Sequence, residues 1–435
     1  MKKGLKIKLS WIRLAVILNI LLFYHFFYLF KFSDRLNAFL RKDFLVLFDV
    51  ILYLFLLVII YQKGRYRHVF YTYDKHLIRY FALLFLTIFA ITVYSIIKYP
   101  SQRVVDILAT EAPFLQIIAV PIYLMIFEKD NGEEKLLKTL NFISFLWSLI
   151  IIIAAYSYKY TGSLLFDINT YMEDTVGYIG TRVYGLRISL GCIGNFSILY
   201  NFNRLYKSKT NGLSKTIIIF ELVIQIVALV TVQQTRAWTL IVGICIIIQI
   251  LLGNKSRNTR TLEALSVVAV MLFLYFSGML GETVSQFENM RIQSEGVSTT
   301  NRMYAVQYYL SVFLSKPIFG NGITSLGSII YYNVEHGPLG VAYYYDVGVI
   351  GLLGQTGLCS IILYFIPFSK VMRSLSKMHD FRNILGYKYN LYISFGVYLI
   401  LTSATLLITN LSLSPLFPIL TAIILYNSKE VNSFK

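Results

Sequence analysis

Twelve stretches of this chain are apolar over roughly the length that a lipid bilayer demands. No other feature limits the fold as strongly. A hydrocarbon core about 30 Å thick takes about 20 residues of helix to cross. Inside it only helices and closed barrels satisfy their own backbone polar groups. The stretches are 11–30, 44–61, 77–97, 114–127, 140–158, 183–201, 216–233, 237–252, 262–280, 347–369, 390–409 and 411–427, some qualifying only with their flanks. The fourth is short and holds Pro121, and the last carries Pro415 and Pro418. Apolar residues are 57% of the chain and charged residues 14%, where soluble domains average roughly 25% charged. An all-α polytopic integral membrane protein with about 12 transmembrane helices is expected. The first stretch is too long for a cleavable signal peptide, and no small-residue cleavage site follows Phe30.

The charge balance then reads as topology. Forty Lys and Arg against 22 Asp and Glu give +18, which in a soluble chain would suggest nucleic acid. In a membrane protein Lys and Arg mark the cytoplasmic loops. With Lys2, Lys3, Lys6 and Lys8 inside, and Arg13 at the head of the first stretch counted with them, alternation puts 26 Lys and Arg inside and 12 outside, and both termini are cytoplasmic. The loop 31–43, with Lys31, Arg35, Arg41 and Lys42, runs against the trend. Acids number 8 inside, with Glu263 at the head of the ninth stretch counted there, and 12 outside, so the whole surplus is cytoplasmic and the outer face is neutral. Nucleic acid is not an expected partner, and an anion at the outer face must be held by a few placed cations. The expected organisation is residues 1–280 with spans one to nine, an outward loop 281–346, and residues 347–435 with spans ten to twelve. A loop of 66 residues over a rigid scaffold usually carries function. A second outward loop, 161–182, is smaller, and no internal repeat is visible.

Several chemistries lack their residues. No G-x-x-x-x-G-K-[ST] motif occurs, and Gly320-Asn321-Gly322 followed by Gly327 breaks the dinucleotide spacing, so it reads as a tight turn. No D-x-D pair exists, and the five histidines lack metal-ligand spacing. No metal or cofactor is expected. Cys192, Cys245 and Cys359 lie in apolar runs as inert thiols. Asp49 and Glu221 are the acids buried within spans, each about six residues from a helix end. Such groups invite a transport reading, but both are shallow enough to reach an interface or a neighbouring cation.

The outward loop has its own pattern. Ser298-Thr299-Thr300-Asn301 offers N-caps, and Met303, Val306, Leu310, Phe313 and Leu314 predict an amphipathic helix over 302–315, stopped by Pro317. After the turn 319–322 an apolar stretch, 323–332, ends in Tyr331-Tyr332. His336 follows, between Glu335 and Gly337-Pro338. The chain re-enters the membrane at Asp346-Val347-Gly348-Val349-Ile350-Gly351. This predicts an amphipathic platform holding one histidine over the bundle. Tyr331, Tyr332, Tyr343, Tyr344 and Tyr345 are candidates to stack on sugar rings, although aromatic residues crowd every membrane interface.

Four patches resemble the O-antigen polymerase/ligase (Wzy/WaaL) superfamily. Thr235-Arg236-Ala237-Trp238 is similar to its [ST]-R-[GA]-A/W helix start, and Arg182-Val183-Tyr184-Gly185 to its R-x-x-G. Arg302 with Lys316-Pro317-Ile318-Phe319-Gly320-Asn321-Gly322 resembles its R…hP-l-f-G-x-G segment. His336 followed by Gly348-Val349-Ile350-Gly351 resembles its H-[NSQ]-x9-G-x-x-[GTY] motif, with Gly337 in place of Asn, Ser or Gln and a gap one residue longer. The resemblance implies a GT-C-like, metal-independent glycan transferase. It would take glycan from undecaprenyl diphosphate at the outer face of a bacterial cytoplasmic membrane. It implies His336 as the base for the acceptor hydroxyl, since an imidazole titrates near neutral pH. It also implies Arg182, Arg236, Arg302 and Arg187 as diphosphate ligands, because a guanidinium fork pairs phosphate oxygens bidentately and stays charged near lipid.

Three functions compete. A repeat-unit polymerase for O-antigen, capsule or exopolysaccharide leads, with a lipid-linked oligosaccharide as substrate and a chain-length regulator and a flippase as partners. A ligase of the same superfamily is the nearest rival. A flippase or exporter of lipid-linked repeats comes from a different class, but the loop 62–76 lacks the G-x-x-x-D-[RK]-x-G-[RK] signature of many exporters.

Overall fold

A computed structural model describes residues 9–23, 42–62, 76–129, 131–162, 188–205, 212–233, 236–253, 256–276, 296–325, 328–405 and 414–432. Among them every regular element is helical. The N-terminal helices are α1 (Leu9–Phe23), α2 (Lys42–Gln62) and α3 (Leu77–Lys98). Next comes α4 (Val104–Leu115), which runs through a 3₁₀ turn at Gln116–Ala119 into α5 (Val120–Phe127). Pro121 has no N–H to give the carbonyl four residues back, and the chain tightens just before it. The fourth span was expected from residue 114. Instead the helix starts at Val104 and carries Glu111, fully buried, as a partner for the Thr92 hydroxyl at 2.7 Å.

The middle of the chain forms α6 (Gly132–Thr161), α7 (Gly191–Leu205) and α8 (Gly212–Val227), with a π-helical turn at Ala228–Gln233. Then come α9 (Arg236–Leu251) and α10 (Arg257–Phe276). The polar and apolar residues of this layer are inverted relative to a soluble protein. Phe142, Ile153, Ile217 and Phe220 point outward, while Asn141, Ser197, Asn201 and Gln225 are buried. The Asn141 amide oxygen accepts from the Ser197 hydroxyl at 2.5 Å and from Asn201 Nδ2 at 2.7 Å. Water is absent from a bilayer core, so polar side chains there find one another, while outer faces take whatever lipid tolerates. Glu221 belongs to this network. It accepts from Asn141 Nδ2 at 2.7 Å and from Arg204 at 3.3 Å, so it has the neighbouring cation that its depth called for. The Asp49 carboxyl, in contrast, is buried on α2 without a hydrogen-bond partner among the described residues.

The C-terminal part holds α11 (Gly296–Ser315), α12 (Ile329–Glu335) and α13 (Gly348–Thr356), the last preceded by a 3₁₀ turn at Tyr344–Val347. Beyond it lie α14 (Ile366–Met378), the one-turn α15 (Arg382–Leu385), α16 (Tyr387–Thr405) and α17 (Leu416–Asn432). The stretch 347–369 was expected to cross the membrane as one span. It is bent by 113° between Gly348–Cys359 and Ile361–Leu385. Gly357 is the cause. Its φ is +59°, and a Cβ there would stand 2.4 Å from the Pro317 carbonyl oxygen. Four helices, Leu77–Lys98, Val104–Phe127, Gly132–Thr161 and Gly212–Gln233, are long and apolar enough to cross a membrane, and the bent pair would make a fifth. Phe44–Ile60, Ala237–Leu251 and Leu416–Lys429 are apolar but shorter.

Candidate functional site

The site is assembled from α11, the turn that follows it, α12 and α13. Helix α11 begins at Gly296, so Ser298 to Asn301 lie inside its first turns rather than ahead of it. Its buried face holds Ala305, Tyr309 and Val312, whereas Met303, Leu310 and Leu314 of the apolar stripe expected from the sequence are exposed. It packs on α13. Pro317 stops it, and the turn 317–322 is stitched to the end of α13 by backbone hydrogen bonds. Asn321 N donates to Gly354 O and Gly322 N to Gln355 O, both at 2.9 Å, and Leu358 N to Pro317 O at 2.8 Å. Gly320, at φ +60°, fits because a Cβ there would lie 2.2 Å from the Gly354 oxygen. Helix α3 closes the joint from the other side. The Ser95 hydroxyl accepts from Ile323 N at 2.9 Å, and Tyr94 stacks on Phe319 at 4.9 Å.

Helix α12 is a single short element, capped by Ser328, whose hydroxyl accepts from Tyr331 N at 2.9 Å. Tyr308 and Tyr309 of α11 tie down its end by donating to the carbonyls of Val334 at 2.9 Å and Glu335 at 2.5 Å. His336 follows directly, and Gly337 then turns left-handed at φ +66°. That conformation favours glycine and next asparagine. Gly337 in place of Asn, Ser or Gln is therefore compatible with the backbone this position needs.

The His336 ring is nearly buried in an aromatic cage. Tyr332 stacks on it at 4.5 Å, Tyr343 meets it edge-on at 4.4 Å, and Tyr331 stands at 6.1 Å. Nδ1 lies 3.0 Å from the Tyr332 carbonyl oxygen. A carbonyl can only accept, so Nδ1 carries the proton and Nε2 keeps its lone pair. Burial pushes the imidazole below its ordinary value, partly offset by the bond to Tyr332. The resting side chain is thus a neutral imidazole with a free acceptor nitrogen, the state in which a general base starts.

Glu335 was noted in the sequence only as a neighbour. It is 2% exposed, and its Oε1 accepts from Gln355 Nε2 of α13 at 2.9 Å. Among the described residues Oε2 has no hydrogen-bond partner, and burial pushes the carboxyl up to about 7. The acid pins the C-terminal end of α12 to α13, one residue before the histidine. A usable signal was present, since Glu335 is the one formally charged residue between Lys316 and Asp346.

The other predicted residues distribute unevenly. Tyr331, Tyr332 and Tyr343 surround the imidazole, whereas Tyr344 is buried in the apolar core and the Tyr345 side chain lies outside the description. Arg302 is exposed on α11, where Asp346 feels its charge. Arg236 opens α9 directly after the π-helical turn. Its side chain is not among those described, but the nearby Trp238 stacks on Tyr398 at 5.9 Å. Arg182 and Arg187 lie outside the described residues.

Helices long and apolar enough to cross a membrane, with apolar faces turned outward, define a multi-pass membrane protein. Residues 221–365, from α8 through the bend after α13, match the family described as O-antigen ligase. That third of the chain holds Arg236, Arg302, the turn 317–322 and His336. The match supports the Wzy/WaaL-like superfamily, whose members are glycosyltransferase-like enzymes of O-antigen-related polysaccharide biosynthesis. None of the curated proteins matches the chain.

Proposed function

We propose that the protein is a polysaccharide repeat-unit polymerase working at the outer face of a bacterial cytoplasmic membrane. It transfers a growing glycan from undecaprenyl diphosphate to the terminal sugar of another lipid-linked repeat. His336 Nε2 takes the proton from the acceptor hydroxyl as its oxygen attacks the anomeric carbon of the donor. The bond from that carbon to the diphosphate breaks, and undecaprenyl diphosphate departs with the electron pair. Arg182, Arg236, Arg302 and Arg187 meet the charge that develops on it, so the reaction needs no metal. Tyr331 and Tyr332 offer ring faces to the sugars. The observation that carries this reading is the caged, Nδ1-protonated His336 within the segment that matches a glycan-transferase family.

The proposal includes a topology of about twelve spans with both termini cytoplasmic. Residues 1–280 hold spans one to nine, residues 281–346 the outward loop, and residues 347–435 spans ten to twelve. A chain-length regulator and a flippase are the proposed partners. A ligase moving finished glycan to a different acceptor would use the same groups, and a flippase would use none of this chemistry. Lipid analysis of cells lacking the protein separates the classes. Single repeats should collect on the lipid at the outer face and long chains should disappear. Repeats trapped at the inner face would indicate a flippase, and long chains left unattached would indicate a ligase.

A further inference from the structure

A cavity of about 300 Å³ lies at one end of the bundle, between α6, α7, α8 and α16. It belongs to a different part of the molecule from the histidine. Lys388, in the first turn of α16, lines it, whereas Gly348 of α13 lies against the Ser403 carbonyl near the other end of the same helix. From Lys388 to Ser403, at 1.5 Å per residue, is about 22 Å of helix. In the proposed topology the cavity is at the cytoplasmic end, with glycan transfer at the other. Asn203 of α7 donates to the Tyr387 carbonyl at 2.9 Å, which fixes the end of α7 against the start of α16 and shapes the cavity between them.

The acids of this cavity are already satisfied, and several of its donors are not. Glu133 Oε1 accepts from the Tyr392 hydroxyl at 2.8 Å and Oε2 from Asn427 Nδ2 at 3.2 Å, while Glu134 is paired with Lys138 at 2.8 Å. Arg204, at the end of α7, spends only Nη1, on Asn201 at 3.0 Å and Glu221 at 3.3 Å. Its Nε and Nη2 have no partner among the described residues, and neither do the Lys388 ammonium and the Ser214 hydroxyl. These donors come from three helices, two of which start here. Helices α8 and α16 have no acid in their first turns, whereas α6 brings Glu133 and Glu134 to its own. The free N–H groups and dipole of a helix start favour an anion. Guanidinium, ammonium and hydroxyl donors together suit phosphate oxygens.

We propose that this cavity takes the phosphate headgroup of an anionic membrane lipid, held by Arg204, Lys388 and the Ser214 hydroxyl. Its volume is at the lower end for small-molecule sites, which gives room for a headgroup as well as its phosphate. Leu137, Ile218 and Leu391 supply apolar wall, and beside Ile218 the outer face of α8 exposes Ile217, Ile219 and Phe220, along which acyl chains can lie. Basic pockets between transmembrane helices on the cytoplasmic side bind such headgroups. The site does not depend on the polymerase reading. A soluble phosphate ester offers the same chemistry, so the test separates the two sources.

The test titrates the full chain in nonionic detergent with dioleoyl phosphatidylglycerol and counts bound lipid by native mass spectrometry. The wild type should fill one tight site before any further lipid binds. K388Q should weaken that site by about 10-fold or more, the scale of a lost charge-assisted contact, and S214A by about 5-fold. Lys388 is exposed and Ser214 half-buried, so neither change disturbs the core. K377Q removes an exposed lysine of α14 outside the cavity and should leave the site unchanged. Wild-type binding in both K388Q and S214A would overturn the proposal. So would equal weakening by K377Q, which would mean a general attraction to basic surface. Inorganic phosphate in excess should not displace the lipid. If it does, the ligand is a soluble phosphate and the assignment to a headgroup is wrong.

Discussion

The Tyr332 carbonyl decides which nitrogen of His336 can accept a proton. It holds the proton on Nδ1, so Nε2 is the nitrogen left to accept one. Sequence spacing and family resemblance pointed to His336, but nothing in the sequence indicates a tautomer, because the carbonyl belongs to a backbone position four residues earlier. Glu335 was harder to see as a functional residue, since its importance comes from being sealed against Gln355, twenty residues later. Its carboxyl titrates near 7 in the fold and near 4.3 in the unfolded chain. Between those values the folded state binds the extra proton, so stability should fall as pH rises from about 4.5 to 7 and level off above. E335Q carries no proton to lose. Thermal unfolding in detergent should show the wild type losing about 1–3 kcal/mol between pH 5 and pH 8 and E335Q holding level. Parallel curves would remove Glu335 from this role.

At the scale of elements, the joint between the turn 317–322 and the end of α13 decides where the histidine stands. The apolar period correctly placed most of α11, and Pro317 marks its end. The bend at Gly357 was not legible, because an unbroken apolar run reads the same whether or not its middle glycine is left-handed. What bends it is contact with Pro317 and Ile318, some forty residues earlier. G320A and G357A should each cost about 2–4 kcal/mol, since both add a Cβ against a carbonyl and strain a left-handed backbone. G340A shares the left-handed backbone, at φ +70°, but its Cβ would meet nothing nearer than the Tyr332 hydroxyl at 3.7 Å. It should cost about 1 kcal/mol. Unfolding midpoints of the three variants test the order, and equal losses would mean that strain alone, not the joint, sets the effect.

Across the whole molecule, hydropathy alone made the helical membrane class legible, because bilayer thickness fixes helix length. The start of the fourth span was not, since Glu111 reads as a loop charge until Thr92 is seen beside it. Charge asymmetry supplied an orientation, and three of the four patches of resemblance lie in the part of the chain that the O-antigen ligase family matches, the patch from Arg182 to Gly185 standing before it. The central claim is that this chain builds polymer by itself from lipid-linked repeats, with His336 as base. Its most direct test is the product made by purified protein in vesicles that contain one lipid-linked repeat unit and no other enzyme. The wild type should produce a ladder of chain lengths, with or without a chelator present, and H336A, folded and inserted, should leave single repeats. A wild type that extends nothing, or an H336A ladder equal to that of the wild type, would contradict the account.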